Sequence, residues 1–314
     1  MEALTAADGR HPVRLPEELW AEVGQCVSLA EYEAAVAGDD ELSDPEFGGG
    51  VRVGTQEELD AALQAEDVRM IVLGGPDLVV WRPAVGGAWI VAMRDALVRA
   101  GRVYARDDVH IVATGVGRVN PAGRARVTAG GRSYVFAHQQ ARVTAHDQAF
   151  VVAYDQVEVE ADGSTQVSGH DTARIAASGE SEVFVKDRAQ ATVCDQVYLS
   201  AYGCARVDAE GSAAVHAHDR VQVAARAQAE VQAHDQTQVW ADDEVRVWAD
   251  GQAQVWAGGW ARVWAGDRAH VGAAESVTVV CEGSEVRIVA SENVTVQRLA
   301  LQEDPGSQGD PGSE

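Results

Sequence analysis

From residue 101 onward, hydrophobic and polar positions alternate in blocks of eight. The segments ARVTAHDQ (141–148), AEVQAHDQ (229–236) and ARVWAGDR (261–268) show the block. Small or β-branched residues take its first, third and fifth positions, and polar or bulky ones the second, fourth and sixth. A period of two belongs to a short strand with one buried face. The chain divides into 23 such octads from Gly101 to Ser284 without an insertion; after one extra residue, Glu285, two more run from Val286 to Leu301. Across these 25 octads the third position is Val 20 times and the fifth is Ala 19 times. The seventh is Asp in ten and Gly in ten, as suits a corner with positive φ. A hairpin meander could share the local pattern, but the unbroken phase favours a parallel β-solenoid with each strand stacked in register on its equivalent in the next coil.

The outward residues set the coil length. The sixth position in alternate octads reads His138, Tyr154, His170, Lys186, Tyr202, His218, His234, while the octads between give His146, Asp162, Ser178, Cys194, Glu210 and Arg226. At the second position Tyr134, Phe150 and Tyr198 fall in one set, and Arg126, Arg142, Arg174 and Arg206 in the other. These rows predict two strands and 16 residues per coil, against a 24-residue alternative suggested by Val197, Val221 and Val245. The predicted fold is therefore all-β: two parallel sheets around an Ala-Val-Ala core, about 60 Å long at ~4.8 Å per rung.

Each end of such a solenoid exposes an unpaired strand that must be covered. Residues 1–50 read as a helical segment, part of that cover or alternatively a separate functional domain: one helix over 15–27 with Pro16 in its first turn, and a second after the capping box of Ser28 and Glu31. Residues 51–100 read as a capping helix over 56–65, announced by Thr55 and Glu58, followed by irregular first coils. Residues 101–301 are the octapeptide solenoid. Residues 302–314, QEDPGSQGDPGSE, lack apolar side chains and are expected to be disordered.

Charge narrows the function classes. The formal net charge is −24. Residues 1–100 carry −12 and the last thirteen −4, so only −8 belongs to the regular body. No basic stripe is present to bind nucleic acid directly. No apolar run reaches the ~18–20 residues of a membrane span. The first thirty residues lack a basic start with an apolar core, so no signal peptide is expected. Cys26, Cys194, Cys204 and Cys281 show no CxxC pair, which fits a reduced cytoplasmic chain without a zinc site.

Candidate chemistry is sparse. His216, His218 and His234 share a side of the solenoid and could bind Zn or Ni if they converged. They sit in rows that also hold Tyr and Lys, so a stacked surface row without metal is the better account. The AHD triplets place Asp at the corner, no nucleophile recurs beside them, and no catalytic residue or cofactor is assigned. Two aromatic groups stand out instead. Trp240, Trp248, Trp256 and Trp264 recur every eight residues and should form two stacked pairs on opposite faces, with Trp260 at a corner. Their alternatives are internal stacking of the coils and an exposed patch for a partner. Tyr134, Phe136, His138, Phe150, Tyr154, Phe184, Tyr198 and Tyr202 collect on one face, where the opposite face is mainly Arg, Thr, Glu and Gln. Such a one-sided stripe suggests a contact surface, most economically with a second copy about a twofold axis. Covering by residues 1–50 is the alternative.

The segments AYDQ (153–156), AYGC (201–204) and ADGS (161–164) resemble the octapeptides of bacterial ice-nucleation proteins, in period and architecture, over 101–301. That resemblance implies a solenoid with 16-residue coils and a tyrosine ladder used in pairing. Ice-nucleation repeats carry regular Thr-x-Thr rows, where this chain has scattered Thr128, Thr144 and Thr192. The expected function is a non-enzymatic structural or protein-interaction solenoid, a homo-oligomer formed through the aromatic face or end to end. Alternatives are an acidic decoy of a nucleic-acid-binding protein, an ice- or water-templating protein, and a stalk delivering a toxin.

Overall fold

The computed structural model describes residues 50–85, 88–105, 108–282 and 285–299. The helices expected over 15–27 and after Ser28, and the tail 302–314, lie outside the described residues. Among the described residues there are two all-parallel sheets, sheet A with 16 strands and sheet B with 14, and from Met70 onward successive strands alternate between them. From Arg102 to Thr278 each strand pairs with the one 16 residues further on, as in Tyr134↔Phe150 and Val135↔Val151 of sheet A, or Arg142↔Glu158 and Val143↔Val159 of sheet B; the first coils are irregular, with Gly50 against Met70 and Ile90 against Val103. The coil is therefore 16 residues. Val197, Val221 and Val245, which hinted at 24, lead into alternate sheets.

The pattern folds this way because every coil buries the same small positions. Val135, Ala137, Val151 and Ala153 from sheet A, and Val143, Ala145 and Ala161 from sheet B, belong to one continuous core. Hydroxyls replace Ala or Val at four first positions; Thr165 and Ser181 lie 2.9 Å apart and Thr237 Oγ1 donates to the His234 carbonyl at 2.6 Å, whereas the buried Ser133 Oγ has no hydrogen-bond partner among the described residues.

The corners explain the alternation of Asp with Gly. Position seven is left-handed from Gly115 to Glu275, with φ of 62° at Asp147 and 66° at Gly131. Glycine adopts that conformation without a Cβ penalty, and Asp tolerates it better than most residues. Asp also brings an acceptor. The Asp147 carboxylate accepts the Gly131 N–H at 3.0 Å, Asp155 that of Gln139 at 2.9 Å, and Asp219 that of Gly203 at 2.9 Å. Each carboxylate thus pairs the corner amide of the preceding coil.

The N-terminal end is closed by helix α1 (Gln56–Gln64), whose Leu59, Ala62 and Leu63 are buried. Its capping box is formed: Glu58 N donates to Thr55 Oγ1 at 3.3 Å, and Glu58 Oε2 accepts from Thr55 N at 3.2 Å. These backbone donors, with that of Gly54, hold the Glu58 carboxyl below its usual range. Gln56 substitutes for a missing strand, since its amide accepts from Val79 N at 2.9 Å and donates to Val79 O at 3.1 Å. Val79 lies in the first strand of sheet B, so a side chain occupies part of that open edge. At the other end Val296, in line with the core, is 41% exposed. Arg298 pairs in register with the buried Cys281, which puts a charge on the inward position of the last rung.

Candidate functional site

Sheet A carries an aromatic row along its sixth position, in two stacked runs. His138 stacks on Tyr154 at 5.0 Å with 4° between planes, and Tyr154 on His170 at 4.8 Å. Lys186 interrupts the row, and Phe184 from the fourth position bridges the gap, 6.4 Å from His170 and 5.3 Å from Tyr202. Tyr202 then stacks on His218 at 4.9 Å and His218 on His234 at 4.7 Å. The row ends in a polar contact, with His234 Nδ1 2.9 Å from both carboxylate oxygens of Asp250. The in-register pairing of the coils sets the spacing, so the stack needs no geometry beyond that of the backbone.

A second cluster lies beside it. Tyr134 and Phe136 pack on Phe150 with centroids 5.9 and 6.5 Å apart, and Arg118 lies over the Tyr134 ring at 5.5 Å. Phe150 points outward yet is only 9% exposed, and the neighbouring outward Val152 4%. Phe150 therefore presents little surface to a partner. Phe184 and Tyr198 are more open, and Tyr198 lies 5.0 Å from His216.

The tryptophans divide as their spacing predicts. Trp248 stacks on Trp264 at 4.8 Å on sheet A, and Trp240 on Trp256 at 5.1 Å on sheet B. Ten of the twelve candidate contact residues thus share sheet A, and Trp240 and Trp256 stand apart on the opposite sheet. Trp260 at its corner is 68% exposed.

Burial disfavours the imidazolium of His170 and holds its pKa below the ordinary range, with Lys186 adding to the effect. The same holds for His218, where burial acts first and His234 second. Protonation of these two imidazoles is opposed by the packing around them.

The three histidines weighed as metal ligands are engaged otherwise: His216 with Tyr198, His218 between Tyr202 and His234, and His234 with Asp250. No group of three or more His, Cys, Asp or Glu side chains that could hold a metal ion occurs among the described residues. No helix among them is long and apolar enough to cross a membrane. The second position of sheet B mixes charges, with Arg142 and Arg174 on either side of Glu158 at 3.0 and 3.8 Å. The fourth position of sheet B brings Thr128 and Thr144 onto adjacent rungs, and Glu160 ends that row on the next.

Two features escaped the sequence reading. The corner carboxylate ladder was visible only as an Asp preference, which backbone conformation alone already explained. The bridging role of Phe184 was hidden because it crosses from the fourth position to the sixth. No known protein family, curated protein or solved structure matches the chain.

Proposed function

We propose that the chain is a non-enzymatic structural or protein-interaction solenoid, of cytoplasmic location, that self-associates through the aromatic row of sheet A. The observation that carries this reading is the pair of stacked runs, His138–Tyr154–His170 and Tyr202–His218–His234, joined across the Lys186 rung by Phe184 on one edge of one sheet. A straight row of partly exposed rings is self-complementary about a twofold axis, and burying it against a second copy removes apolar area from water. The resemblance to ice-nucleation proteins agrees with pairing through such a row. It lends no support to ice binding, because Thr128 and Thr144 are followed by Glu160. Light-scattering mass over a hundredfold concentration range tests the proposal. A mass rising above the 33.3 kDa of one chain is expected. A constant 33.3 kDa would overturn self-association.

The corner row of Asp155, Asp171 and Asp187 on successive coils favours a second reading, an acidic decoy of a nucleic-acid-binding protein. Arg188 and Arg220 in the same corners weaken it. Competition with DNA for a panel of basic DNA-binding proteins tests it; no displacement would sink it.

A further inference from the structure

The outward fourth position of sheet B runs Thr192, Asp208, Ala224, Trp240, Trp256, Gly272 on successive rungs. One face of Trp240 lies against Trp256. The other face looks onto the rung of Ala224, whose single methyl leaves an open depression of about 270 Å³ lined by Arg206, Val207, Asp208, Gln222, Ala224 and Trp240. Trp240 remains 42% exposed beside it. With rungs ~4.8 Å apart, Asp208 and Trp240 are separated by about 10 Å. One flat group seated over Ala224 would continue the stack at the 4.7–5.0 Å spacing that rings keep elsewhere in the molecule.

Charge selects the flat group. Arg206 donates to Gln222 Oε1 at 3.4 Å, and Gln222 Nε2 to Gln238 Oε1 at 3.4 Å, so the second-position row forms a polar wall bonded along its own length. Arg226 is paired with Glu210. The Asp208 carboxylate has no hydrogen bond or ion pair with other described residues. A guanidinium is planar, stacks on an indole face by cation–π attraction, and presents N–H donors in its plane to a carboxylate. A neutral ring would leave Asp208 unpaired, and an ammonium has no plane to stack.

We propose that the slot formed by Trp240, Ala224 and Asp208 on sheet B receives an arginine side chain of a partner protein. Its guanidinium lies flat on Trp240 over Ala224, with an N–H donated to Asp208. This site is on the sheet opposite the self-association row and does not depend on that reading. A monomeric protein that still bound arginine would overturn self-association alone.

The test is a titration of the full chain, ¹⁵N-labelled at its indoles, with acetyl-Gly-Arg-Gly-amide, and with the tripeptides carrying Lys or Tyr in place of Arg. The expected result is a saturable shift of the Trp240 Nε1–H signal in the millimolar range, roughly fivefold weaker for the Lys peptide and for Asp208→Asn. Ala224→Trp fills the empty rung, as Trp256 does the rung beyond Trp240, and should abolish the shift. No saturable shift, an equal response to Lys or Tyr, or binding retained in Ala224→Trp would overturn the proposal.

Discussion

Sheets A and B bury the same residues at the same register, Val135 over Val151 in one and Val143 over Val159 in the other. Outward they part. Sheet A gathers Tyr154, His170, Tyr202 and His218 into two stacked runs of one row, while the corresponding turns of sheet B carry Asp162, Ser178, Glu210 and Arg226. The inward pattern repeats in each octad because both sheets face one core. The outward pattern repeats only in alternate octads, so it is not imposed by the core. Most of the outward rings gather on sheet A, and the stacked Trp240 and Trp256 stand apart on sheet B.

The largest expected effect tests the equivalence of the interiors. Val215 in sheet A and Val207 in sheet B are both fully buried. Val215→Asp and Val207→Asp should each cost about 4 kcal/mol, because a carboxylate enters the core without a partner. Chemical denaturation of the two variants checks this, and a clear difference between them would break the symmetry. Next come the corners. A Cβ at Gly259 would sit 2.7 Å from Asp243 N, at a φ of 61°. Gly259→Val should therefore lose roughly 2 kcal/mol or more. Ala227→Gly, where φ is 58°, should gain about 1 kcal/mol. Thermal melts of this pair check both signs.

The pH response sharpens the contrast of the exteriors. His170 and His218 have folded pKa values below those of the unfolded chain, chiefly through burial. The fold thus favours neutral imidazole. The stabilisation is fully present above about pH 6.5 and is lost as the pH falls through that value toward the folded pKa values. Tm should fall between pH 7.5 and pH 5 on account of His170 and His218. The double variant His170→Phe, His218→Phe should show a correspondingly smaller drop, and an unchanged one would show that these two imidazoles do not carry it. The smallest effect is at the carboxylate ladder. Asp235 accepts the Asp219 N–H at 3.1 Å, so Asp235→Ala should cost about 1 kcal/mol and Asp235→Asn, which keeps an acceptor, only a few tenths by the same melts.

The architecture was legible because it rests on redundancy. Val and Ala at the third and fifth positions, repeated through 101–301, leave a single fold in which all are buried together, and the alternation of Tyr154 and Tyr202 with Asp162 and Glu210 sets the coil at 16 residues. Thr55 and Glu58 likewise announced α1, because a capping box is a local device. The contacts that were not legible lie between positions rather than along one. Phe184 reaches across rows to span Lys186, and Gln56 turns its amide to Val79, 23 residues away. The slot beside Trp240 depends on the small size of Ala224, and an alanine in an alanine-rich repeat gives no signal by itself. Its meaning comes from Asp208 and Trp240 on either side.

The central claim is that the face of sheet A, and not the repeat as such, mediates association. The most direct measurement is the light-scattering mass of Tyr154→Glu, Tyr202→Glu beside a sheet B control, Thr144→Glu, Thr192→Glu, at one high concentration. The account predicts 33.3 kDa for the first and the higher mass of the parent chain for the second. Equal masses for the two variants, or loss of association in the sheet B control alone, would contradict it.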